Sequence, residues 1–171
     1  YMLMSDHGMK AIDQQNPLKA PEIDSSIGDM VVDGSTVNYY LKDDTKIDSI
    51  YASWLTLNPK GYKIFTKTNI PLKYHYGIGD DWYNRAGDII LLAETPYFFG
   101  KKLSIGEHGF DPQEEPDMRA TFIAWGPGIQ SGKIIKAFKN TEVYPLAARL
   151  LGLQIHEPLD GKGILIKKVL R

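Results

Sequence analysis

Two short polar segments, each holding a histidine followed by a glycine, set the strongest constraint on how this chain can fold. Residues 5–9 directly follow the apolar residues 1–4, and residues 106–110 come about a hundred positions later. The apolar residues are typical of a buried strand end, and the glycine after Asp6 and His7 allows a sharp turn that points both side chains into a crevice. The spacing matches no compact zinc-finger pattern, so only the tertiary fold can bring His108 to them.

Asp6, His7 and His108 are the candidate metal ligands of the chain. A carboxylate oxygen and a neutral imidazole are ordinary ligands of borderline divalent ions such as zinc. The residues alone also allow a plainer interpretation, in which Asp6 caps backbone donors at a turn and His7 is solvated. Neither segment decides between the two interpretations by itself.

The segments that follow His108 narrow the choice. Residues 118–128 read Met-Arg-Ala-Thr-Phe-Ile-Ala-Trp-Gly-Pro-Gly, and residues 140–146 read Asn-Thr-Glu-Val-Tyr-Pro-Leu. In series with the two histidine segments, this order resembles the C-terminal half of the type I phosphodiesterase and nucleotide pyrophosphatase family, a branch of the alkaline phosphatase superfamily. The resemblance is strong over residues 1–10 and 104–152 and loose between them.

The resemblance implies an α/β fold, namely part of an alkaline-phosphatase-like sandwich with a small inserted α+β lobe. Residues 1–27 and 100–171 would form the C-terminal half of the catalytic α/β domain, and residues 28–99 would form the inserted lobe. A strand, a ligand loop, a return strand and a packing helix predict helices on the faces of a largely parallel sheet. The lobe would act as a lid or brace, or else take part in substrate choice.

By the same resemblance, the protein is a hydrolase of phosphodiester or pyrophosphate bonds that uses two divalent metal ions, taken to be Zn2+. Asp6 and His7 would hold the metal beside the nucleophile and His108 would hold the other, each unprotonated at its ligating atom. The family's Thr or Ser nucleophile lies upstream of the Asp-His-Gly segment, so we expect no catalytic residue in this chain. The isolated chain should therefore lack multiple-turnover hydrolysis.

Two alternatives stay open beside this interpretation. The first keeps the fold but changes the leaving group, as in a related phosphomonoesterase, sulfatase or phospholipid-head-group hydrolase. The second is a non-catalytic domain that retains a partial metal site. Relative rates on a nitrophenyl nucleotide diester, a nitrophenyl phosphate and a nitrophenyl sulfate would separate the first alternative from a phosphodiesterase.

Composition bears on the partners of the protein. A net charge of -1 over 171 residues argues against a nucleic-acid polymer as ligand. The family resemblance implies a small-molecule phosphodiester or nucleotide as the substrate. No apolar run reaches the roughly 18 residues of a membrane span. A chain that begins at Tyr1 suggests a missing N-terminal half of the same protein, and the family resemblance implies a periplasmic or extracellular location.

Local patterns predict alternating strands and helices. The predicted strands are residues 30–32 and 37–41, joined as a hairpin, and residues 62–66, 72–76, 88–93 and 120–125. The predicted helices run from a cap at Asp43 or Asp44 to about residue 58, and from a cap at Asn140 or Thr141 to a stop at Gly152.

Other polar and aromatic side chains receive a structural interpretation. The aromatic residues are expected to pack in the core, with base or acyl-chain binding as the alternative, and they are Tyr74, Tyr76, Trp82, Tyr83, Tyr97, Phe98 and Phe99. His75 is expected to be buried among them. Glu107 and the acidic residues of 111–117 are expected to be solvated, and His156 is assigned to the surface or to packing.

Overall fold

A computed structural model describes the protein over residues 1–100 and 105–171. Residues 101–104, which belong to the predicted segment 100–171, lie outside the described residues. The strands are β1 (Met2–Met4), β2 (Lys10–Ala11), β3 (Gly28–Asp33), β4 (Thr36–Leu41), β5 (Tyr62–Thr66), β6 (Ile89–Ala93), β7 (Gly106–Glu107) and β8 (Phe122–Ala124). The α-helices are α1 (Ile47–Thr56), α2 (Val143–Leu151) and α3 (Ile164–Val169).

The described residues pack as two compact units. Tyr1–Gly8 and Ala120–Arg171 form one unit, here called the terminal unit, and Met9–Arg119 forms the other, the central unit. The predicted lobe, residues 28–99, lies wholly within the central unit. A division by packing does not test the boundary of an insertion, so the proposed domain limits stay a prediction.

A four-stranded antiparallel sheet in the order β3-β4-β6-β5 forms the centre of the central unit. Asp33 pairs with Thr36 across a two-residue turn in which Gly34 has a φ of 53°, which confirms the predicted hairpin. All ladders among the described residues are antiparallel. The prediction of a largely parallel sheet is therefore wrong for these residues, and a turn as short as Gly34-Ser35 can join only antiparallel strands.

Strand β6 is buried on both faces of this sheet. Leu91 points to the side covered by α1, where Tyr39 and Trp54 meet edge to face with ring centroids 4.6 Å apart. Ile90 points to the opposite side and packs against Ile70. The alternation follows from the period-two geometry of a strand, and it makes β6 the centre of the core.

The first predicted helix is present, but the predicted strand at residues 72–76 is not. The Asp43 carboxylate accepts a hydrogen bond from the backbone N–H of Thr45 at 3.0 Å, and this cap precedes α1. Leu72–Tyr74 forms a 3-10 helix instead of a strand, because Pro71 begins a turn and its carbonyl accepts the N–H of Tyr74 at 3.1 Å. His75 ends that turn with a φ of 50°.

The terminal unit is built on the ladder between β1 and β8, which confirms a strand within residues 120–125. Helices α2 and α3 cover one face of this ladder, where Phe122 and Ala124 join their core. The core residues of this unit are Ile129, Val143, Leu146, Leu165 and Val169.

The other face of the β1–β8 ladder is exposed. Leu3 pairs with Ile123, and both side chains face solvent, while the Tyr1 ring stacks on Trp125 with centroids 5.4 Å apart. Met2–Met4 forms a strand as predicted, but it is not a buried strand end. The helices of this unit cover only one side of the two-stranded ladder, so the alternate side chains remain in water.

Helix α2 ends as predicted but does not begin as predicted. Gly152 has a φ of 69° and stops the helix. A 3-10 turn, Asn140–Glu142, precedes the helix, and Lys139 at its start makes no side-chain capping bond. Asn140 is no cap, because its side-chain amide donates to the backbone carbonyl of Asp6 at 2.8 Å.

A buried carboxylate joins α2 to α3. The side chain of Glu142 accepts the backbone N–H of Lys162 at 2.8 Å and that of Ile164 at 2.6 Å. Residues 162–164 therefore wrap around a carboxylate of the same unit. The hydrogen bonds from Lys162 and then Ile164 hold the pKa of Glu142 below its ordinary value of 4.5, although burial acts in the opposite direction.

The loop after β7 lies against the hairpin turn between β3 and β4. Gly109 has a φ of +89°, and a Cβ at this position would collide with the Ser35 hydroxyl. Ser35 is buried, and its carbonyl accepts the N–H of Ala93 at 2.8 Å, so the turn is tied to the sheet. Both the backbone conformation and the close approach require glycine here.

None of the helices within residues 1–100 and 105–171 has the length and apolar character that crossing a bilayer demands.

Glu142→Gln should lower the midpoint of thermal unfolding at neutral pH, because an amide brings no charge to the two backbone donors. The folded-state pKa is lowered, so the stabilising effect is complete above about 4.5 and disappears as the pH falls through the folded-state value. The difference between wild type and variant should therefore shrink on acidification. Glu157→Gln, at an exposed glutamate of the same unit, is the matched control, and equal melting of both variants at pH 7 would contradict the assignment.

Gly109→Ala should destabilise the protein in urea unfolding by more than Gly128→Ala does. Gly128 has a φ of +82° with no atom within 4 Å, so its alanine variant suffers only the left-handed backbone strain of about 1–2 kcal/mol. At position 109 the collision with Ser35 adds about 1–3 kcal/mol of overpacking. Equal losses in the two variants would show that the contact with Ser35 is unimportant.

Candidate metal centre

The first histidine segment follows directly from β1 in the terminal unit. The backbone N–H of Ser5 donates to the carbonyl of Thr121 at 3.0 Å, and the N–H of Thr121 donates to the Ser5 hydroxyl at 2.8 Å. The next carbonyl, that of Asp6, accepts the Asn140 side chain. The backbone that carries Asp6 and His7 is therefore held on both sides, by the ladder with β8 and by the turn that precedes α2.

Hydrogen bonds orient the two side chains of this segment. One Asp6 carboxylate oxygen accepts the backbone N–H of His7 at 2.9 Å, and the other lies 3.5 Å from His7 Nε2. His7 Nδ1 lies 2.7 Å from the carbonyl oxygen of Gly8. Because a carbonyl only accepts, Nδ1 carries the proton of the neutral ring and Nε2 carries the lone pair. This tautomer suits metal ligation through Nε2.

The second histidine segment is positioned by a ladder within the central unit. Strand β2 pairs with β7, with Lys10 opposite Glu107 and Ala11 opposite Gly106. The N–H of Met9 donates to the carbonyl of Asp117 at 3.0 Å, and that of Ile12 donates to the carbonyl of Ile105 at 3.1 Å. These bonds fix the backbone immediately before His108.

His108 is a half-exposed side chain that directly follows a buried residue. Its imidazole is 51% exposed, whereas the Glu107 side chain before it is only 6% exposed. Gly109 packs on Ser35 and Phe110 is buried. The backbone of His108 is thus held in place while its imidazole is half exposed, and both properties suit a metal ligand.

The structure places Asp6 and His7 side by side in the terminal unit and His108 in the central unit. Over residues 1–100 and 105–171, no three His, Asp or Glu side chains are grouped closely enough to hold one metal ion. Joint ligation by the three residues stays a prediction.

The predicted solvation of the acidic residues is confirmed for Glu114 and Asp117, whose side chains are 54% and 62% exposed. It is wrong for Glu107, Asp111 and Glu115, whose side chains are at most 19% exposed. Glu107 is buried because its strand pairs with β2. The Asp111 side chain is 9% exposed and lies 2.7 Å from the ammonium group of Lys73. Glu115 lies 2.9 Å from the ammonium group of Lys10 and accepts a short hydrogen bond from Thr95. Lysines from distant parts of the chain thus neutralise these carboxylates.

Local sequence gives no signal for these lysine partners. Lys10 is 107 positions from Asp117, whose carboxylate it contacts at 3.1 Å, and Lys73 is 38 positions from Asp111. Only the sheet topology brings such residues together. The count of acidic residues between 111 and 117 was the one available hint, because so many carboxylates in a short loop call for cations nearby.

The aromatic residues divide between core and surface. Phe98 and Phe99 are buried as predicted, whereas Trp82 and Tyr83 are exposed. His75 is exposed rather than buried, and its Nδ1 lies 3.0 Å from the Asp80 carboxylate. The predicted burial failed because residues 72–76 form a turn instead of a strand. His156 is exposed, in agreement with a surface position.

An open pocket of about 570 Å³ lies in the central unit beside the loop that follows His108. Its apolar wall comes from the sheet face and from the turn after β5, and its polar rim comes largely from carboxylates. The lining residues are Thr36, Lys63, Ile70, Tyr74, Tyr76, Leu92, Ala93, Glu94, Thr95, Gly109, Phe110, Asp111, Glu114 and Glu115.

Comparison with known proteins identifies the family of the chain. Residues 1–112, more than half of the chain, match the family model described as type I phosphodiesterase / nucleotide pyrophosphatase. The matched residues include both histidine segments. This agrees with the family resemblance that the sequence carries.

Curated relatives from several animals match almost the whole chain. Ectonucleotide pyrophosphatase/phosphodiesterase family member 7 of Rattus norvegicus is 26% identical over 180 residues, which cover 99% of this chain and 39% of the relative. Venom phosphodiesterase of Naja atra is 28% identical over 162 residues, which cover 90% of this chain and 19% of the relative. The chain thus spans about two fifths or less of the length of these two relatives.

Solved structures show the fold. Human ectonucleotide pyrophosphatase / phosphodiesterase 5 superposes with a TM-score of 0.78 at 22% identity, over 99% of this chain and 45% of that protein. The murine protein gives 0.81 at 23% identity with the same coverage. The fold is therefore the mixed α/β, alkaline-phosphatase-like fold that was predicted. Together with the match over residues 1–112, this shows that the chain belongs to the type I phosphodiesterase / nucleotide pyrophosphatase family.

Proposed function

We propose that this chain supplies metal ligands to a two-metal hydrolase that cleaves phosphodiester or pyrophosphate bonds in small-molecule substrates. The observation that carries the proposal is the family match over residues 1–112, which includes Asp6, His7 and His108. Relatives named as a venom phosphodiesterase and as a bis(5'-adenosyl)-triphosphatase favour diester and pyrophosphate bonds over monoesters.

The donor set fits a divalent ion of the zinc type. One carboxylate and two imidazoles are nitrogen and oxygen donors of the kind that zinc binds in catalytic sites. When bound, two such ions would lower the pKa of the attacking hydroxyl and share the charge of the transferring phosphoryl group. The nucleophile belongs to the part of the family fold that precedes the Asp-His-Gly segment, so no residue of this chain takes that role.

Hydrogen bonds from neighbouring residues orient the proposed ligands or hold their backbone in place. The Gly8 carbonyl holds the proton of His7 on Nδ1, which leaves the lone pair of the neutral ring on Nε2. The Asn140 side chain donates to the backbone carbonyl of Asp6 and so fixes the backbone from which the Asp6 carboxylate extends. The pairing of Lys10 with Glu107 fixes the backbone directly before His108.

A location outside the cytoplasm, in the periplasm or the extracellular space, is part of the proposal. It rests on the relatives whose printed names begin with ecto, among them the rat protein. Scavenging of organic phosphate by a zinc-dependent diesterase is consistent with that location.

His7→Ala and His108→Ala, made in the protein as its gene encodes it, should each reduce hydrolysis of a nitrophenyl nucleotide diester by more than about 100-fold. Loss of a residue that merely supports a metal ligand costs about 10–100-fold, so loss of the ligand itself should cost more. Bound zinc, measured by mass spectrometry of the purified protein, should fall as well. His156→Ala, at an exposed histidine, should leave both quantities unchanged.

Wild-type turnover and metal content in either ligand variant would remove that residue from the proposed site. Faster cleavage of nitrophenyl phosphate or nitrophenyl sulfate than of the diester would instead favour a monoesterase or a sulfatase with the same fold. Absence of all three activities in the wild-type protein would favour a non-catalytic domain.

A further inference from the structure

Lys73 joins the turn after β5 to the loop that carries His108. Its ammonium group lies 2.7 Å from the Asp111 carboxylate and 2.7 Å from the Glu114 carboxylate. The same ammonium lies 4.8 Å from the centroid of the Tyr74 ring, within the range of a cation–π contact. Two carboxylates and one aromatic ring thus contact the same ammonium group.

The carboxylate of Asp111 is bound on both sides. It accepts the backbone N–H of Gln113 at 2.8 Å and receives Lys73 on its other oxygen. Burial alone would raise the pKa of Asp111, but the hydrogen bond from Lys73 and then that from Gln113 outweigh burial and hold the pKa below its ordinary value. Asp111 therefore stays charged at neutral pH and keeps its lysine.

The ion pair acts close to His108 along the chain. Asp111 is three residues after His108, and the two residues between them are fixed by Gly109 against Ser35 and by the burial of Phe110. Both residues between His108 and Asp111 are thus in contact with the rest of the central unit. A shift of Asp111 would therefore move the backbone of His108.

A second lysine holds the far end of the same loop. Lys10 contacts the carboxylates of Glu115 and Asp117 at 2.9 Å and 3.1 Å. The loop is thus anchored to β2 at one end and to the turn after β5 at the other. Lys73 is the anchor nearer to His108.

We propose that Lys73 is a positioning residue for His108, and that the turn carrying it is a brace for the metal loop rather than a substrate-binding lid. This inference rests on the proposed function, since it takes His108 to be a metal ligand. Partly exposed ion pairs contribute little to stability in general, so a pair of this kind is better explained by the geometry it fixes.

The test compares Lys73→Met, Lys73→Arg and Lys60→Met in the protein as its gene encodes it. Lys60 is an exposed lysine of the same unit for which the described residues show no ion pair, so Lys60→Met is the matched control. Lys73→Met should lower kcat on a nitrophenyl nucleotide diester by about 10-fold with little change in KM, as expected for a residue that supports a metal ligand. Its zinc dissociation constant, from competition with a chelator, should rise by a similar factor.

Lys73→Arg should restore most of both quantities, because a guanidinium also reaches two carboxylates. Asp111→Asn should reproduce the losses of Lys73→Met, and the double variant should lose no more than either single one. Asp111→Asn also carries the test if Lys73→Met does not yield folded protein. All rates are referred to the folded fraction, taken from the circular dichroism of the same samples.

The inference is overturned if Lys73→Met matches Lys60→Met in kcat and zinc affinity, or if Lys73→Arg is as impaired as Lys73→Met. Failure of the proposed function has a different signature, in which wild-type protein neither hydrolyses the diester nor binds zinc, or His108→Ala remains active. If the wild type is active, His108→Ala is inactive and Lys73→Met is normal, the proposed function stands and only the positioning role of Lys73 is rejected.

Discussion

The antiparallel pairing of Lys10 with Glu107 joins two stretches of chain that lie about a hundred residues apart in sequence. A ladder of two residues on each side is too short to persist alone in water. It is supported by the Met9 N–H on the carbonyl of Asp117 and by the Lys10 ammonium on the carboxylates of Glu115 and Asp117. Together these hydrogen bonds and ion pairs fix the backbone immediately before His108.

Charge is the second means by which this loop is held. The acidic loop has little apolar area of its own, apart from Phe110 and Met118, and it is fixed by lysines that reach it from other elements. Ion pairs suit this purpose because their geometry is specific even where their net contribution to stability is small. Lys63, which contacts Glu94 at 3.2 Å and Glu114 at 3.9 Å, extends the same network along the pocket rim.

The sequence predicted those features that depend on local patterns. The hairpin around Gly34, the helix after Asp43 and the stop at Gly152 follow from turn chemistry, capping and backbone freedom, and the structure has all three. The family resemblance rested on the histidine segments in series with residues 118–128 and 140–146, and the match to residues 1–112 confirms the family.

Features decided by tertiary contacts were not predictable in this way. Residues 72–76 have strand-forming side chains, but Pro71 starts a turn there, and His75 is exposed as a result. Asn140 has the side chain of a helix cap, yet the Asp6 carbonyl takes its amide. In the candidate site, the ligands Asp6, His7 and His108 stay a prediction from the sequence. Lys73 and Lys10 could not be predicted, since each lysine is remote in sequence from the carboxylates it contacts.

The β1–β8 ladder leaves Tyr1, Leu3, Ile123 and Trp125 on one uncovered face. A row of exposed apolar side chains on a short ladder favours association with another strand or with another apolar surface. The chain expressed by itself is therefore expected to self-associate through this face at the concentrations used for crystallisation or NMR. Replacing Leu3 and Ile123 with threonine would keep a residue of high β propensity at both positions and make this face more polar. The double substitution should therefore reduce self-association.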